Sequence, residues 1–262
     1  MDPRVTLLRE FYDGLPRHRA KIETHGHGFA FLETLLGTDG ATLEYGELTL
    51  TGLLHKYKLT NLSEPRLTAL LHAHVAKECN VCLYFAADAN RLFCFNLDNN
   101  HKTNNTAPLP AMDCAVHALR QRLRILGLEP LVVASGRGYH VWCRLAAPVG
   151  NDLLHDLMLG AGAHALAAVA RAGHDHRIIK LNLYPDRRIH DVVSLRLFGT
   201  DHAKNRVFSR ILTPEGQLLG EEASWAEFER HRRDHTIPVA TVRSAHAAVL
   251  TDLPGVSAAP HP

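Results

Sequence analysis

Ser135–Trp142 reads SGRGYHVW, a Gly-rich turn that delivers a histidine onto an apolar run. Gly136 and Gly138 permit a tight turn whose backbone N–H groups can hold phosphate oxygens. The residues that follow alternate as a strand, which puts His140 and Trp142 on one face and Tyr139 and Val141 on the other. Taken alone the stretch has two readings. One is a β-hairpin turn followed by a half-buried histidine, and the other is a phosphate-binding turn whose histidine donates to a triphosphate.

The flanks read as short strands alternating with helices. Strands are expected at Val81–Ala86, Arg91–Asp98, Leu131–Ala134, Tyr139–Leu145 and Arg177–Tyr184, with helices over Pro110–Leu126 and Asp152–Arg171. From Arg91 to Tyr184 the order is β-α-β-β-α-β, the split arrangement of ferredoxin-like and RNA-recognition-like modules. The fold class expected is therefore α/β in the α+β sense, an RRM-like β-α-β-β-α-β core with an N-terminal helical and α/β accessory layer. Two further strands, Val192–Phe198 and Arg206–Leu212, precede a helix over Ser224–Arg233. Upstream, helices are expected at Val5–Tyr12 and Pro65–Glu78, the second capped by Asn61 or Ser63 with Pro65 in its first turn. The boundaries that follow are an accessory helical region over 1–80, the core over 81–235 and a poorly ordered tail over 236–262.

At 262 residues and 46% hydrophobic the chain can bury a real core. A formal charge of +2 excludes a global basic field, so any nucleic-acid site must be local. No apolar run approaches the roughly 20 residues a membrane helix needs, and the start lacks a signal-peptide pattern, so a cytoplasmic protein with no membrane partner is expected. Five cysteines and no export signal argue against a disulfide framework. The CxxC at Cys79 and Cys82 has no second ligand pair, so no structural zinc is expected.

Two other blocks carry chemistry. In FNLDNN, Phe95–Asn100, strand alternation places Asn96 and Asp98 on one face, where their oxygens can hold a hard divalent cation or simply shape a turn. In LYPDRRIHDVVSLRLFGTDHAKNR, Leu183–Arg206, the residues Asp186, Asp191, Arg196, Lys204 and Arg206 can bind phosphate beside a metal or form a solvated strand edge.

In this order FNLDNN, SGRGYHVW and RLFGTDHAK resemble the motifs of the archaeo-eukaryotic primase superfamily, over about Val81 to Arg210. The resemblance implies a DNA primase or primase-polymerase, joining NTPs or dNTPs on a nucleic-acid template with two Mg²⁺ or Mn²⁺ ions. It implies Asp98 as a metal ligand beside Asn96. It places His140 on the nucleotide's phosphates, with Ser135, Gly136, Arg137 and Gly138 framing the pocket and Arg196 and Lys204 adding positive charge. A third carboxylate would come from Asp186 or Asp191, or its position falls on Asn182. A single-stranded DNA template or primer is the implied partner, with a helicase or nuclease from the same system.

Asn96 stands where the family has an acid, and a neutral amide holds a hard cation less well than a carboxylate. A degenerate module that binds nucleotide or single strands without chemistry is the alternative. An RNA-recognition-like module stacking bases on Phe93, Phe95 and Tyr139 is a third reading.

Overall fold

The computed structural model describes residues 2–25, 29–36, 42–48, 54–99, 109–186, 194–203 and 205–252. The chain opens on helix α1 (Pro3–Phe11), where Asp2 caps the N-terminus by accepting from the Arg4 N–H at 2.8 Å. Strand β1 (Ala20–His25), helix α2 (Phe29–Leu36), strands β2 (Thr42–Leu48) and β3 (Leu54–Thr60), helix α3 (Glu64–Val75) and strand β4 (Cys79–Tyr84) follow. The first 80 residues are therefore not simply a helical region. β1 and β3 alternate charged and apolar residues, which suits a sheet with one face on a core.

The second half runs β5 (Ala89–Asn99), α4 (Pro110–Ile125), β6 (Leu131–Ala134), β7 (Tyr139–Gly150), α5 (Asn151–Arg171), β8 (Ile179–Tyr184), β9 (Ser194–Arg196), β10 (Arg210–Ile211), α6 (Glu221–Asp234) and α7 (Val239–Thr251). Two five-stranded sheets result, ordered β2-β3-β1-β4-β9 and β10-β6-β7-β5-β8, and every strand pairing in them is antiparallel. The expected β-α-β-β-α-β run is present as β5 to β8, and its strands lie in the order β8-β5-β7-β6.

Phe93, Phe95 and Leu97 of β5, with Tyr139 and Val141 of β7, face α4 and α5 in one buried core. α4 supplies Met112, Val116, Leu119 and Leu123 to it, a stripe at helical spacing, each fully buried side chain contributing roughly 1.5–3 kcal/mol. α5 is long and apolar enough to cross a membrane by length and composition, with a mean hydropathy of 1.4, contrary to the reading of the sequence. Its stripe of Leu154, Leu157, Met158, Ala161, Ala165 and Val169 is buried in the same core, which accounts for that composition.

Three expectations change. The stretch 236–262 is not a loose tail over its first half, because α7 buries Val242, Ala245 and Val249, and Gly160 of α5 gives Val249 room to approach. The strand expected at Arg206–Leu212 shortens to β10, since Arg206 sits at φ 55°, outside the extended region. β4 and β9 join the N-terminal sheet instead of the RRM-like one, so a boundary at residue 80 runs through a single sheet. Cys79 and Cys82 lie three apart on extended β4, so their thiols point to opposite faces.

A candidate phosphate-binding cleft between the sheets

On the face of the second sheet away from α4 and α5, register aligns Asn96 of β5 with His140 of β7 and with Asn182 of β8. Asp98 lies two residues further along the same face. Farther down the strands this face is filled by aromatic packing. Trp142 meets Tyr12 at 5.2 Å and Phe85 at 6.2 Å, and Phe85 meets Tyr184 at 5.7 Å. The polar residues are thus gathered at one end, where the aromatic filling stops.

The SGRG turn closes the β6–β7 hairpin, with the Ser135 N–H donating to the Gly138 carbonyl at 2.8 Å. Both glycines are required by geometry. A Cβ on Gly138 would stand 1.9 Å from the Leu97 carbonyl oxygen, so only glycine lets the turn lie against β5. Gly136 sits at φ +103°, and its carbonyl accepts from Asn205 Nδ2 at 3.0 Å.

Arg196 joins the two sheets. It is in register with Cys82 on β4, and its Nη2 donates to the Ser135 carbonyl at the hairpin turn. The neighbouring backbone is bolted in place, because the Phe198 N–H donates to Tyr12 Oη at 3.1 Å and the Phe198 carbonyl accepts from His74 Nε2 at 2.9 Å. His74 Nδ1 accepts from the Val81 N–H at 3.0 Å, so the ring is the neutral Nε2–H tautomer. Burial is the main cause that pulls His74 down to about 4.

The electrostatics of the cleft point to an anion. Arg196 is only 8% exposed, burial lowers its pKa, and its Nη1 has no hydrogen-bond partner. Trp142 Nε1 and Arg137 Nε are likewise buried without partners. Burial first, then the charges of Arg196 and His202, push His140 down to about 3, so it is neutral at pH 7. Its ring stands edge-on to Trp142 at 6.4 Å. A buried guanidinium with an unspent donor costs about 1–3 kcal/mol for that donor alone, a cost removed when an oxyanion arrives.

Across the cleft the first sheet presents a charged row. Register aligns Lys58 of β3, Lys21 of β1, Cys82 of β4 and Arg196 of β9, with Lys56, Glu23 and Asn80 in the next row on that face. Burial works to raise the Glu23 pKa, and the Lys21 ammonium 2.8 Å away overcomes it, holding the carboxyl below its ordinary value. Lys21, Glu23, His74, Tyr12 and Asn205 were not singled out from the sequence. The alternation in KIETH was the available signal for the first two.

Among the described residues the donors do not make up a divalent metal pair. Asp98 Oδ2 is 3.1 Å from Arg137 Nη2, and its Oδ1 accepts from the Asn99 N–H at 2.8 Å. The Asn96 side chain lies near the Tyr184 hydroxyl, whose pKa burial raises and the amide lowers. Asn182 adds a second neutral amide beside Asn96. Asp186 lies two residues past the end of β8, and among the described residues no three His, Cys, Asp or Glu side chains converge as a metal site. Asp191 and Lys204 lie outside the described residues. The base-stacking reading is also corrected, since Phe93 and Phe95 are fully buried and Tyr139 is 3% exposed, donating its hydroxyl to Asp113 at 2.5 Å beneath the sheet.

No protein-family model matches the chain, and no curated protein matches it. Among solved structures it is similar to the polymerase domain of Mycobacterium tuberculosis ligase D in complex with DNA, with 14% identity over 89% of this chain and 88% of that one and a TM-score of 0.46. It is also similar to the AEP domain of the cyanophage S-2L primase-polymerase, with 12% identity over 86% of this chain and 97% of that one and a TM-score of 0.39.

Proposed function

We propose that the chain is a primase-polymerase-like module whose inter-sheet cleft binds the phosphates of a nucleotide on a single-stranded nucleic-acid partner. The observation that carries this reading is the buried Arg196 guanidinium with an unspent Nη1, near the neutral ring of His140. The SGRG turn, Arg137 and Arg196 supply donors, and His140 adds one N–H without adding charge. The row Lys58, Lys21 and Arg196 supplies positive potential along which a strand's phosphates can lie.

Template-directed joining of NTPs or dNTPs is the chemistry implied by the three motifs. It needs carboxylates to hold Mg²⁺ or Mn²⁺, and the neutral amide of Asn96 with Asp98 in its Arg137 ion pair does not provide that set. The reading favoured is therefore binding, with the arginines taking the place of cations against the phosphates. Titration of ATP and dATP in EDTA and again with Mn²⁺, followed by calorimetry, tests it. Affinity that is the same in both, and at least tenfold weaker in Arg137→Gln, is expected. Primer extension in Mn²⁺ that vanishes in Asp98→Ala would overturn the non-catalytic reading, and the absence of any nucleotide binding would overturn the cleft itself.

A further inference from the structure

A second charged site lies at the opposite end of the second sheet, where α1, β5, β7 and α6 meet. Five guanidinium groups crowd there: Arg9, Arg17, Arg91, Arg144 and Arg232. Asp13 pairs with Arg91 at 3.0 Å and with Arg17 at 3.2 Å, Glu64 pairs with Arg9 at 2.7 Å and Arg17 at 3.5 Å, and Glu10 pairs with Arg232 at 3.0 Å. Five cations against three carboxylates leave a surplus of two positive charges.

The surplus centres on Arg144. It makes no salt bridge among the described residues, donating only to Thr236 Oγ1 at 2.7 Å and, at 3.5 Å, to the Glu10 carbonyl. Burial, then the like charges of Arg91 and Arg232, lower its pKa. Arg232 has a buried Nε with no partner. Like charges packed together at the surface are disfavoured unless something anionic sits among them.

An open cavity of about 390 Å³ lies over Arg9, Arg17, Arg144 and Arg232, its remaining walls formed by Thr6, Glu10 and Asp13. It has no apolar or aromatic side chain in its lining, so it can recognise charge and not a base or a sugar face. Planar guanidiniums suit the oxygens of a phosphate, which they bind through paired N–H donors. We propose that this arginine cluster is a second phosphate-binding site, distinct from the inter-sheet cleft and taking either a free polyphosphate or a phosphate of a bound strand. Arg91 and Asp98 sit seven residues apart on β5, so the two sites are separated by ~23 Å along the strand.

Calorimetry with inorganic triphosphate in EDTA, and anisotropy of a fluorescein-labelled single-stranded oligothymidylate, separate the two sources. The expected result is that Arg144→Gln and Arg232→Gln each weaken one ligand by roughly tenfold, about the effect of losing one charged hydrogen bond, while Arg144→Lys loses less. Weakening of triphosphate identifies a small-anion site. Weakening of the oligonucleotide alone, with a shallower salt dependence, identifies a strand site. Arg137→Gln, which disables the cleft, leaves this second binding in place, so failure of one site is distinguishable from failure of the other. Triphosphate stoichiometry and oligonucleotide affinity unchanged in Arg144→Gln and Arg232→Gln, with thermal melting showing both variants folded, overturn the proposal.

Discussion

Lowering the pH from 7 to 5 should destabilise this fold steeply through three buried histidines. His74 is held at about 4, and His140 and His231 at about 3, against an ordinary value of 6.5, with burial the leading cause for all three. Their folded-state values are depressed, so the stability they carry is complete above 6.5. It is lost as the pH falls from there toward 4 and 3, because the unfolded chain binds protons that the folded chain refuses. For one such group the loss between pH 7 and pH 5 is about 2 kcal/mol, and for three about 6 kcal/mol, comparable to the whole stability of many domains. Urea denaturation at both pH values, read by far-UV circular dichroism, measures the difference. His140→Gln cannot protonate in this range, so its pH dependence should shrink by about a third. A midpoint that does not move between pH 7 and pH 5 would refute the assignment of these rings as neutral.

Gly138→Ala should lose about 3 kcal/mol or more and lower the melting temperature by roughly 6–12 °C, because its Cβ would collide with the Leu97 carbonyl; Gly150→Ala, with nothing within 4 Å, should lose only the smaller N-cap preference of α5 in the same thermal melt. Asn96→Asp combined with Arg137→Gln should raise Mn²⁺ affinity at least tenfold in calorimetry, since it puts two carboxylates on one face and releases Asp98 from its ion pair; tight Mn²⁺ binding already present in the native chain would contradict the metal-poor site.

The second sheet was legible because its signals are local. Phe93, Phe95 and Leu97 alternate with Cys94, Asn96 and Asp98, and each set goes to one face, so the strand and its polar face could be read from the contiguous stretch Arg91–Asp98. Of the first sheet only β4 and β9 were legible, within the strands expected at Val81–Ala86 and Val192–Phe198, although KIETH and HKYKLT alternate just as clearly. Its pairing brings β1 to β4 and β4 to β9, segments far apart in sequence, and a strand's partner is not written in its own alternation. α7 was missed for a different reason. VATVRSAHAAVLT has β-branched residues and no side-chain cap, so its local preference is weak, and the helix is held by docking Val242, Ala245 and Val249 into the core. At the site, Asp98, Arg137, His140 and Arg196 were readable as motif residues. Glu23, Lys21, His74 and Tyr12 come from segments whose approach only the tertiary fold creates.

The segment Arg196–Gly199 reads as a single motif in the sequence, and the structure divides its labour. Gly199 has no room for a side chain because a Cβ would stand 2.3 Å from the Trp225 ring, so its identity is set by packing against α6 and not by phosphate. Phe198 stacks on Phe228 at 4.7 Å while its two backbone groups are claimed by Tyr12 and His74. Only Arg196 reaches the cleft. Phe198 and Gly199 therefore act as an anchor for one reaching side chain, and the anchor is what makes an unspent buried guanidinium tolerable. Without it, Arg196 could swing out to water and recover its hydration. Held beside Phe198 and tied to the Ser135 carbonyl, it stays close enough to His140 for its charge to lower that ring's pKa, and its buried Nη1 is the donor that the proposed phosphate would have to reach.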